Sequence, residues 1–352
     1  MMVFFFLVAG LVATLALLYF MRTSEELPKT WPQFKTEIKF IIGGIKGCGV
    51  DIGLKHRNKI ALYSQPDKVA IITGGNRGLG LYVVKKLVDC DMTVIVGVRD
   101  PVQAKSAVEK LIDESKHNKV HYERLDVGSM SSVRQFAAKV QEKFTKIHIL
   151  INNAGIMNVP LKRTEDGFES QLAVNYLGHF LLTHLLLPQL KAAGTEKCCA
   201  RIVNVSSCVY QLGEIKWSDI NSEKSYYPAD AYSQSKLAQM FFSRHLEAKL
   251  KESGAHVHSY AVHPGVVNTD LFNITGMSAI PWFRAFFFKT PEQGSRTVVY
   301  AAIHPKLEGR GGGYYSNCLP FPQKNGVKDP ARCERLFNLS CELLRIKDFG
   351  GI

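Results

Sequence analysis

Residues 68–80 read Lys68-Val69-Ala70-Ile71-Ile72-Thr73-Gly74-Gly75-Asn76-Arg77-Gly78-Leu79-Gly80. The apolar, β-branched run 68–73 predicts a buried strand, and the apolar segment 81–88 predicts a helix. The glycines between them permit a tight turn, close approach of backbone to a pyrophosphate, and close packing of helix on strand. Their place between strand and helix predicts a dinucleotide site at the helix N-terminus. The residues expected to contact the dinucleotide are Gly74, Asn76, Arg77, Gly78, Leu79 and Gly80.

Strands and helices continue to alternate after this unit. This succession predicts an α/β fold, a Rossmann-type doubly wound parallel sheet in a single domain of residues 67–320, followed by a C-terminal extension, 321–352. Further strands are predicted at 92–98, 120–125, 147–151, 201–205 and 258–262 with a last one near 309–317, and helices at 133–144 and 291–303.

The residue just past the second strand is Arg99. An acid at this point binds the ribose hydroxyls of NAD, whereas a cation accommodates the 2′-phosphate of NADP. Arg99, together with Arg77 in the glycine turn, therefore predicts that NADP(H) is preferred. Asp100 keeps NAD(H) open as a cofactor, and the alternative interpretation is that both arginines are ordinary solvated charges.

Two later strand ends carry further candidates for nucleotide contact. Asp126 and Val127 follow the third strand, where an adenine amino group could be met. Asn153, Ala154 and Gly155 follow the fourth, and their small side chains and amide could cap the sheet beneath the nucleotide.

Tyr232 and Lys236 are four residues apart in a segment whose apolar continuation predicts a helix. This spacing places phenol and ammonium on one helix face. A neighbouring cation favours phenolate, so we expect the pKa of Tyr232 to fall from about 10 toward neutrality. Tyr232 could then act as a general acid and base toward an alcohol or carbonyl. The alternative is a surface pair on a solvated helix.

Five ordered motifs resemble the short-chain dehydrogenase/reductase family over roughly residues 68–317. They are Thr73-Gly74-x-x-x-Gly78-x-Gly80, Asn152-Asn153-Ala154-Gly155, Ser207, Tyr232-x-x-x-Lys236 and Pro264-Gly265.

The resemblance implies a role for each matching residue. Asn175 would hold a water in a proton relay, and Ser207, not Ser206, would hydrogen-bond the substrate oxygen. Tyr232 would be the general acid/base, and Lys236 would lower its pKa and hold the nicotinamide ribose. The loop beside the nicotinamide carboxamide would comprise Pro264, Gly265, Val267 and Thr269. His263 is not needed by this mechanism and is interpreted as a core or ribose-adjacent histidine.

Residues 1–21 contain no charged side chain, and Arg22 is the first one in the chain. A helix needs ~20 apolar residues to cross a bilayer, which this segment provides. We predict a transmembrane anchor; a cleaved signal peptide is the alternative, but the basic start typical of one is missing. Residues 22–66 form a predicted basic linker that places the domain on the cytosolic side. Its segment 34–60 could lie on the membrane surface or be a plain tether, and its glycines argue against a firm helix.

The net charge of +13 favours acidic partners such as anionic lipid or a phosphorylated cofactor. No basic run or motif indicates nucleic acid. The eight cysteines have no CxxC spacing, so we predict no metal site and expect reduced thiols. The sequence is compatible with a homo-oligomer but does not require one.

Residues 271–291 are rich in aromatic side chains and are predicted to form the substrate lid. Such a surface would suit a lipid substrate or the bilayer, although these rings could instead pack on the domain. The runs 263–272, 288–294 and 300–309 resemble the retinol dehydrogenase branch. That resemblance implies a long isoprenoid alcohol or aldehyde, or a retinoid, as substrate, and the endoplasmic reticulum membrane or lipid droplets as location. A catalytically silent nucleotide-binding membrane protein is the remaining alternative, which has no need for the full catalytic set.

Overall fold

The computed structural model describes residues 28–272 and 281–352. The predicted anchor, residues 1–21, lies outside these ranges, as does the middle of the predicted lid. Across the two described ranges, no helix is both long enough and apolar enough to cross a membrane.

The β-strands of the described residues form a single twisted layer. They are β1 (Val69–Thr73), β2 (Thr93–Val98), β3 (Val120–Arg124), β4 (Ile149–Asn152), β5 (Ala200–Val205), β6 (Val257–His263), β7 (Tyr314–Ser316) and β8 (Leu319–Pro320). Their order is β3-β2-β1-β4-β5-β6-β7-β8, in which β8 alone runs antiparallel to its neighbour. The order reverses between β1 and β4, the switch point at which open α/β sheets bind ligands. The doubly wound prediction is confirmed.

Helices cover both faces of the sheet. They are α1 (Trp31–Gly53), α2 (Gly78–Asp89), α3 (Pro101–Glu109), α4 (Met130–Lys143), α5 (Gly178–Ala193), α6 (Pro228–Glu252), α7 (Pro281–Phe287), α8 (Pro291–Ile303) and α9 (Pro330–Leu344). Alternate strand residues point to opposite faces. Ile71 of β1 therefore belongs to the hydrophobic core that includes α4, α5, α6 and α9, whereas Ile72 belongs to the core that includes α2, α3 and α8.

The segment predicted as a C-terminal extension contributes to the first of these cores. Leu336 and Phe337 of α9 are buried, and Phe349 beyond the helix is buried too. The Phe337 ring lies 4.9 Å from the ring of Phe349 and 5.1 Å from that of Phe180 in α5. This end of the chain therefore stabilises α5 and the hydrophobic core on this face of the sheet.

Helix α1 corrects the prediction that the glycines of segment 34–60 prevent a firm helix. Thr30 and Gln33 form a capping box at its start. A glycine costs roughly 0.5–1 kcal/mol relative to alanine in a helix, which tertiary packing can offset. An added Cβ at Gly43 would lie 3.0 Å from Leu212, and one at Gly47 would lie 3.1 Å from Cys208 Sγ. The glycines let α1 pack closely on the domain, so a plain tether is wrong for residues 31–53.

Candidate active site

The glycine turn has the geometry expected of a pyrophosphate cradle. Gly74 and Gly78 have positive φ values of 73° and 52°, which glycine adopts readily. An added Cβ at Gly80 would lie 2.1 Å from the carbonyl oxygen of Gly74, so no larger residue fits. Helix α2 begins at Gly78, and the side chain of its N-cap residue Arg77 does not hydrogen-bond to the N-terminal N–H groups. These groups are therefore placed to bind a phosphate.

The loop after β4 is hydrogen-bonded to the end of β1. The backbone N–H groups of Asn153 and Ala154 both donate to Thr73 Oγ1 at 2.9 Å. The Asn153 amide donates to the carbonyl oxygens of Thr73 and Gly74 at 2.8 and 3.1 Å. Asn153 thus fixes the floor under the glycine turn.

Asn175 lies fully buried in a π-helical turn, Ala173–Leu177, that leads into α5. Its amide nitrogen donates to the Ile156 carbonyl and to Ser235 Oγ, each at 2.9 Å. Its amide oxygen accepts from the Ile156 N–H at 2.9 Å. Both amide hydrogens are therefore engaged, so a water could be held by this side chain only through the remaining lone pair of Oδ1. The side chain ties the loop after β4 to helix α6.

The structure brings Tyr232 and Ser207 together. Ser207 follows β5, and its hydroxyl interacts with the Tyr232 phenol and lowers the pKa of that phenol. Ser206, which was not predicted to bind the substrate oxygen, is buried, and its hydroxyl donates to the carbonyl oxygen of Lys236 at 3.0 Å.

The predicted pKa shift of Tyr232 is wrong in sign. Burial raises the pKa of the phenol above its usual value, and the hydrogen bond with Ser207 opposes this only in part. Besides burial, the groups that shift this pKa are Ser207 and Cys208, and the Lys236 Nζ lies 5.8 Å from the centre of the Tyr232 ring. That Nζ donates instead to the Val205 carbonyl at 2.9 Å and to Gln239 Oε1 at 3.2 Å.

Lys236 itself is buried, and burial lowers its pKa to about 7. An added Cβ at Gly155 would lie 3.6 Å from its Nζ. The ammonium therefore lies under the loop after β4, beside the floor of the glycine turn. This arrangement fits a cation that holds a ribose of a bound dinucleotide.

The low pKa of Lys236 gives a stability prediction. Between about pH 7 and the unfolded value of about 10.4, the unfolded chain binds more protons, so the free energy of unfolding rises with pH. We expect Lys236→Met to remove this rise. Urea titrations without added cofactor at about pH 7 and about pH 9 measure it. Lys251→Met, at an exposed position of the same helix, is the control and should keep the wild-type difference. A Lys236→Met protein with an unchanged pH difference would contradict the prediction.

The loop after β6 borders the glycine turn. Gly265 has φ of 101°, and Val267 forms a parallel bridge with Lys289. An added Cβ at Gly78 would lie 3.2 Å from Thr269. The loop that contains Pro264 therefore lies next to the glycine turn at Gly78.

The remaining predicted cofactor residues lie at the edge of this site. Arg99 is exposed at the end of β2, and Arg77 is paired with Asp270 at 3.3 Å. Asp126 Oδ1 accepts from the Gly128 N–H at 2.9 Å, and Val127 is buried. Their positions beside β1 are compatible with an adenosine end of the dinucleotide.

Sequence reasoning missed three residues around this site. Phe40 of α1 contacts the Tyr232 ring, and Asp51 at the end of α1 pairs with Lys289 at 2.9 Å. No sequence motif marks these residues, because their partners lie about 190 or more residues away along the chain.

His263 is confirmed as a buried residue near the site. Its Nδ1 accepts from the Cys208 N–H at 3.2 Å, while Nε2 has no hydrogen-bond partner within the described residues. Burial lowers the pKa of His263 to about 4, so the ring is neutral near pH 7.

Comparisons with known proteins agree with this geometry. A family model of short chain dehydrogenases matches residues 68–276. Polyprenol dehydrogenase of Homo sapiens is 40% identical over 290 residues, which covers 81% of this chain and 87% of that protein. Retinol dehydrogenase 12 of Mus musculus is 38% identical over 88% of this chain and 92% of that protein.

Among solved structures, an uncharacterised protein from Mycobacterium paratuberculosis is similar with a TM-score of 0.65 and 33% identity. The match covers 81% of this chain and 96% of that chain. The family model, the relatives and the fold agree on one assignment. The chain belongs to the short-chain dehydrogenase/reductase family and is an NAD(P)-dependent oxidoreductase of the alcohol and aldehyde class.

Proposed function

We propose that this protein is a membrane-associated oxidoreductase that interconverts a long isoprenoid alcohol and its aldehyde, with NADP(H) preferred. One observation carries the substrate class: the catalytic-helix tyrosine lies in an apolar cluster. Tyr232 packs with Met157 and Val209, and the cluster is completed by Phe40, Cys208, Leu271 and Phe272. Apolar walls around the reacting group favour a hydrophobic substrate. The names of the two relatives support an isoprenoid or a retinoid.

In this proposal the chain's residues handle the proton and the oxygen. When bound, the nicotinamide cofactor supplies or accepts the hydride. Tyr232 gives its proton to the aldehyde oxygen in reduction and takes it back in oxidation, and Ser207 donates a hydrogen bond to that oxygen. Lys236 holds the cofactor ribose, and Asn175 keeps the floor loop fixed to α6.

The outer face of α1 supports contact with a membrane. This face is defined by the exposed side chains Trp31, Phe34, Ile38, Ile42 and Ile45. Lys35, Lys39 and Lys46 are exposed beside it, whereas both acids of the helix, Glu37 and Asp51, are buried. Aromatic and aliphatic residues with lysines are typical of a helix at a lipid interface. We place it on the cytosolic surface of the endoplasmic reticulum or of lipid droplets, behind an anchor at residues 1–21.

Arg99 gives a test of the cofactor preference. A guanidinium that binds the 2′-phosphate makes charge-assisted hydrogen bonds, so Arg99→Gln should raise the KM for NADPH about tenfold and leave the KM for NADH nearly unchanged. Steady-state kinetics with both cofactors measure this. Arg134→Gln, at an exposed position on α4, should change neither value. Equal effects of Arg99→Gln on both cofactors would contradict the NADP(H) preference.

The substrate proposal is tested with purified protein in detergent. Polyprenol, dolichal and retinal are each supplied with NAD(H) and with NADP(H), and the product is quantified. We expect turnover of polyprenol or dolichal at a higher kcat/KM than that of retinal. Turnover of retinal without either isoprenoid would instead identify a retinol dehydrogenase.

A further inference from the structure

Helix α1 contacts Tyr232, the proposed general acid and base. The ring of Phe40 lies edge-on to that of Tyr232, with centroids 6.3 Å apart and planes at 66°. Phe40 packs against the cluster formed by Met157, Val209 and Tyr232. A side chain from outside the predicted domain thus borders the space beside the catalytic phenol.

Helix α1 is held on the domain by contacts at its start, its middle and its end. Residues 37, 40, 47 and 51 follow helical spacing and share one face. At the start of this inner face, the Tyr227 hydroxyl donates to the Glu37 carboxylate. In the middle, Gly47 brings the helix against Cys208. At the end, Asp51 accepts from the Val266 N–H at 2.8 Å.

The end of α1 that contains Asp51 is held by a buried pair of charges. Asp51 Oδ1 lies 2.9 Å from Lys289 Nζ and 3.1 Å from Asn317 Nδ2, and Asp51 and Lys289 are both buried. Lys289 also donates to the Pro264 carbonyl at 3.3 Å. A buried charge pair with satisfied hydrogen bonds has one favourable arrangement, so it holds α1 in register with the loop after β6.

From these contacts we propose that the inner face of α1 is a fixed wall of the substrate cleft, and that Phe40 is a specificity-determining residue on it. The ring limits the room beside the carbon that bears the reacting oxygen. A primary alcohol or an aldehyde fits there, whereas a second carbon substituent on that carbon meets the Phe40 ring. This proposal rests on the proposed role of Tyr232 in alcohol–aldehyde interconversion, but not on the identity of the lipid.

The experiment uses the full chain, NADPH and two carbonyl compounds, octanal and 2-octanone, which have the same number of carbons. The carbonyl carbon bears a hydrogen in octanal and a methyl group in 2-octanone. In wild type, kcat/KM should be much higher for octanal. Phe40→Ala should raise the ratio of kcat/KM for 2-octanone to that for octanal about tenfold, the scale on which a pocket discriminates one methylene. The KM for NADPH should stay unchanged. Phe40→Leu should shift the ratio in the same direction by less. This variant replaces Phe40→Ala in the test if the alanine variant is poorly folded.

Phe34→Ala is the matched control, since Phe34 lies on the outer face of the same helix and stacks on Trp31. It should leave the ratio unchanged. The proposal that Phe40 limits the cleft would be overturned if the ratio of kcat/KM for 2-octanone to that for octanal were the same in the Phe40 variants, in Phe34→Ala and in wild type. It would also be overturned if the wild-type protein reduced both compounds equally well. No turnover of octanal would overturn the role of Tyr232 and this inference with it. Failure with polyprenol and dolichal alone would overturn only the proposed lipid.

Discussion

Tyr232→Phe is expected to lower kcat for aldehyde reduction by about 10²–10⁴-fold, the usual contribution of a positioned general acid or base. The ring and its packing on Phe40 are kept, so the KM for NADPH should change little. Single-turnover measurement of NADPH oxidation isolates the chemical step. Because burial raises the pKa of this phenol, the proton stays on it near neutral pH. We therefore expect the chemical step of wild-type reduction, measured at saturating NADPH, to be insensitive to pH near neutrality, whereas alcohol oxidation should accelerate as pH rises.

The control for this experiment is Tyr226→Phe. Tyr226 lies just before α6, and its hydroxyl donates to the Val159 carbonyl at 2.6 Å, away from Ser207. Its loss should leave kcat close to wild type. If Tyr232→Phe and Tyr226→Phe reduce the aldehyde equally fast, Tyr232 is not the acid, and a contaminating activity or another mechanism becomes the better explanation.

Asp51→Ala is expected to lower the free energy of unfolding by about 3–5 kcal/mol, because it leaves the Lys289 ammonium buried without its counter-ion. Urea titration at neutral pH measures this. Adding Lys289→Met to Asp51→Ala should recover part of the loss, since no buried charge then remains. KM for NADPH should rise as well, because the loop after β6 loses the carboxylate that accepts from Val266.

The pH dependence of this prediction has a defined sign. Burial alone would raise the pKa of Asp51, but His263, Lys289 and the hydrogen bonds hold it below its ordinary value. The stabilisation is therefore complete above the unfolded value of about 3.9 and is lost as pH falls through the lower folded value. Asp89→Ala is the control, since its surface pair with Lys85 is worth about 0–1 kcal/mol. Asp51→Ala no more destabilising than Asp89→Ala would contradict the role of the pair.

Much of the fold follows from local sequence. The run from Val69 to Gly80 combines strand pattern and turn residues that agree with each other, and the observed β1, turn and α2 match it closely. The ordered motifs also predicted that Ser207 and Tyr232 belong to one site, and the structure brings the two side chains together. Helix α1 could not be predicted this way, because glycines at 43 and 47 weaken a helix locally and are explained only by surfaces more than 150 residues away.

The charge states of Tyr232 and Lys236 could not be predicted either. Four-residue spacing correctly places Tyr232 and Lys236 on one helix, but it does not tell how deeply they are buried. Burial disfavours the charged form of each, so it raises the pKa of the phenol and lowers that of the ammonium.

The position of α1 also has a consequence for biosynthesis. Asp51 leaves the ribosome early, whereas Val266, Lys289 and Asn317 follow 215 to 266 residues later. Contacts so distant along the chain form late, and domains generally fold as units. The contacts of Asp51 can therefore form only after residues 266 to 317 have emerged, so this end of α1 reaches its final position late in the synthesis of the chain.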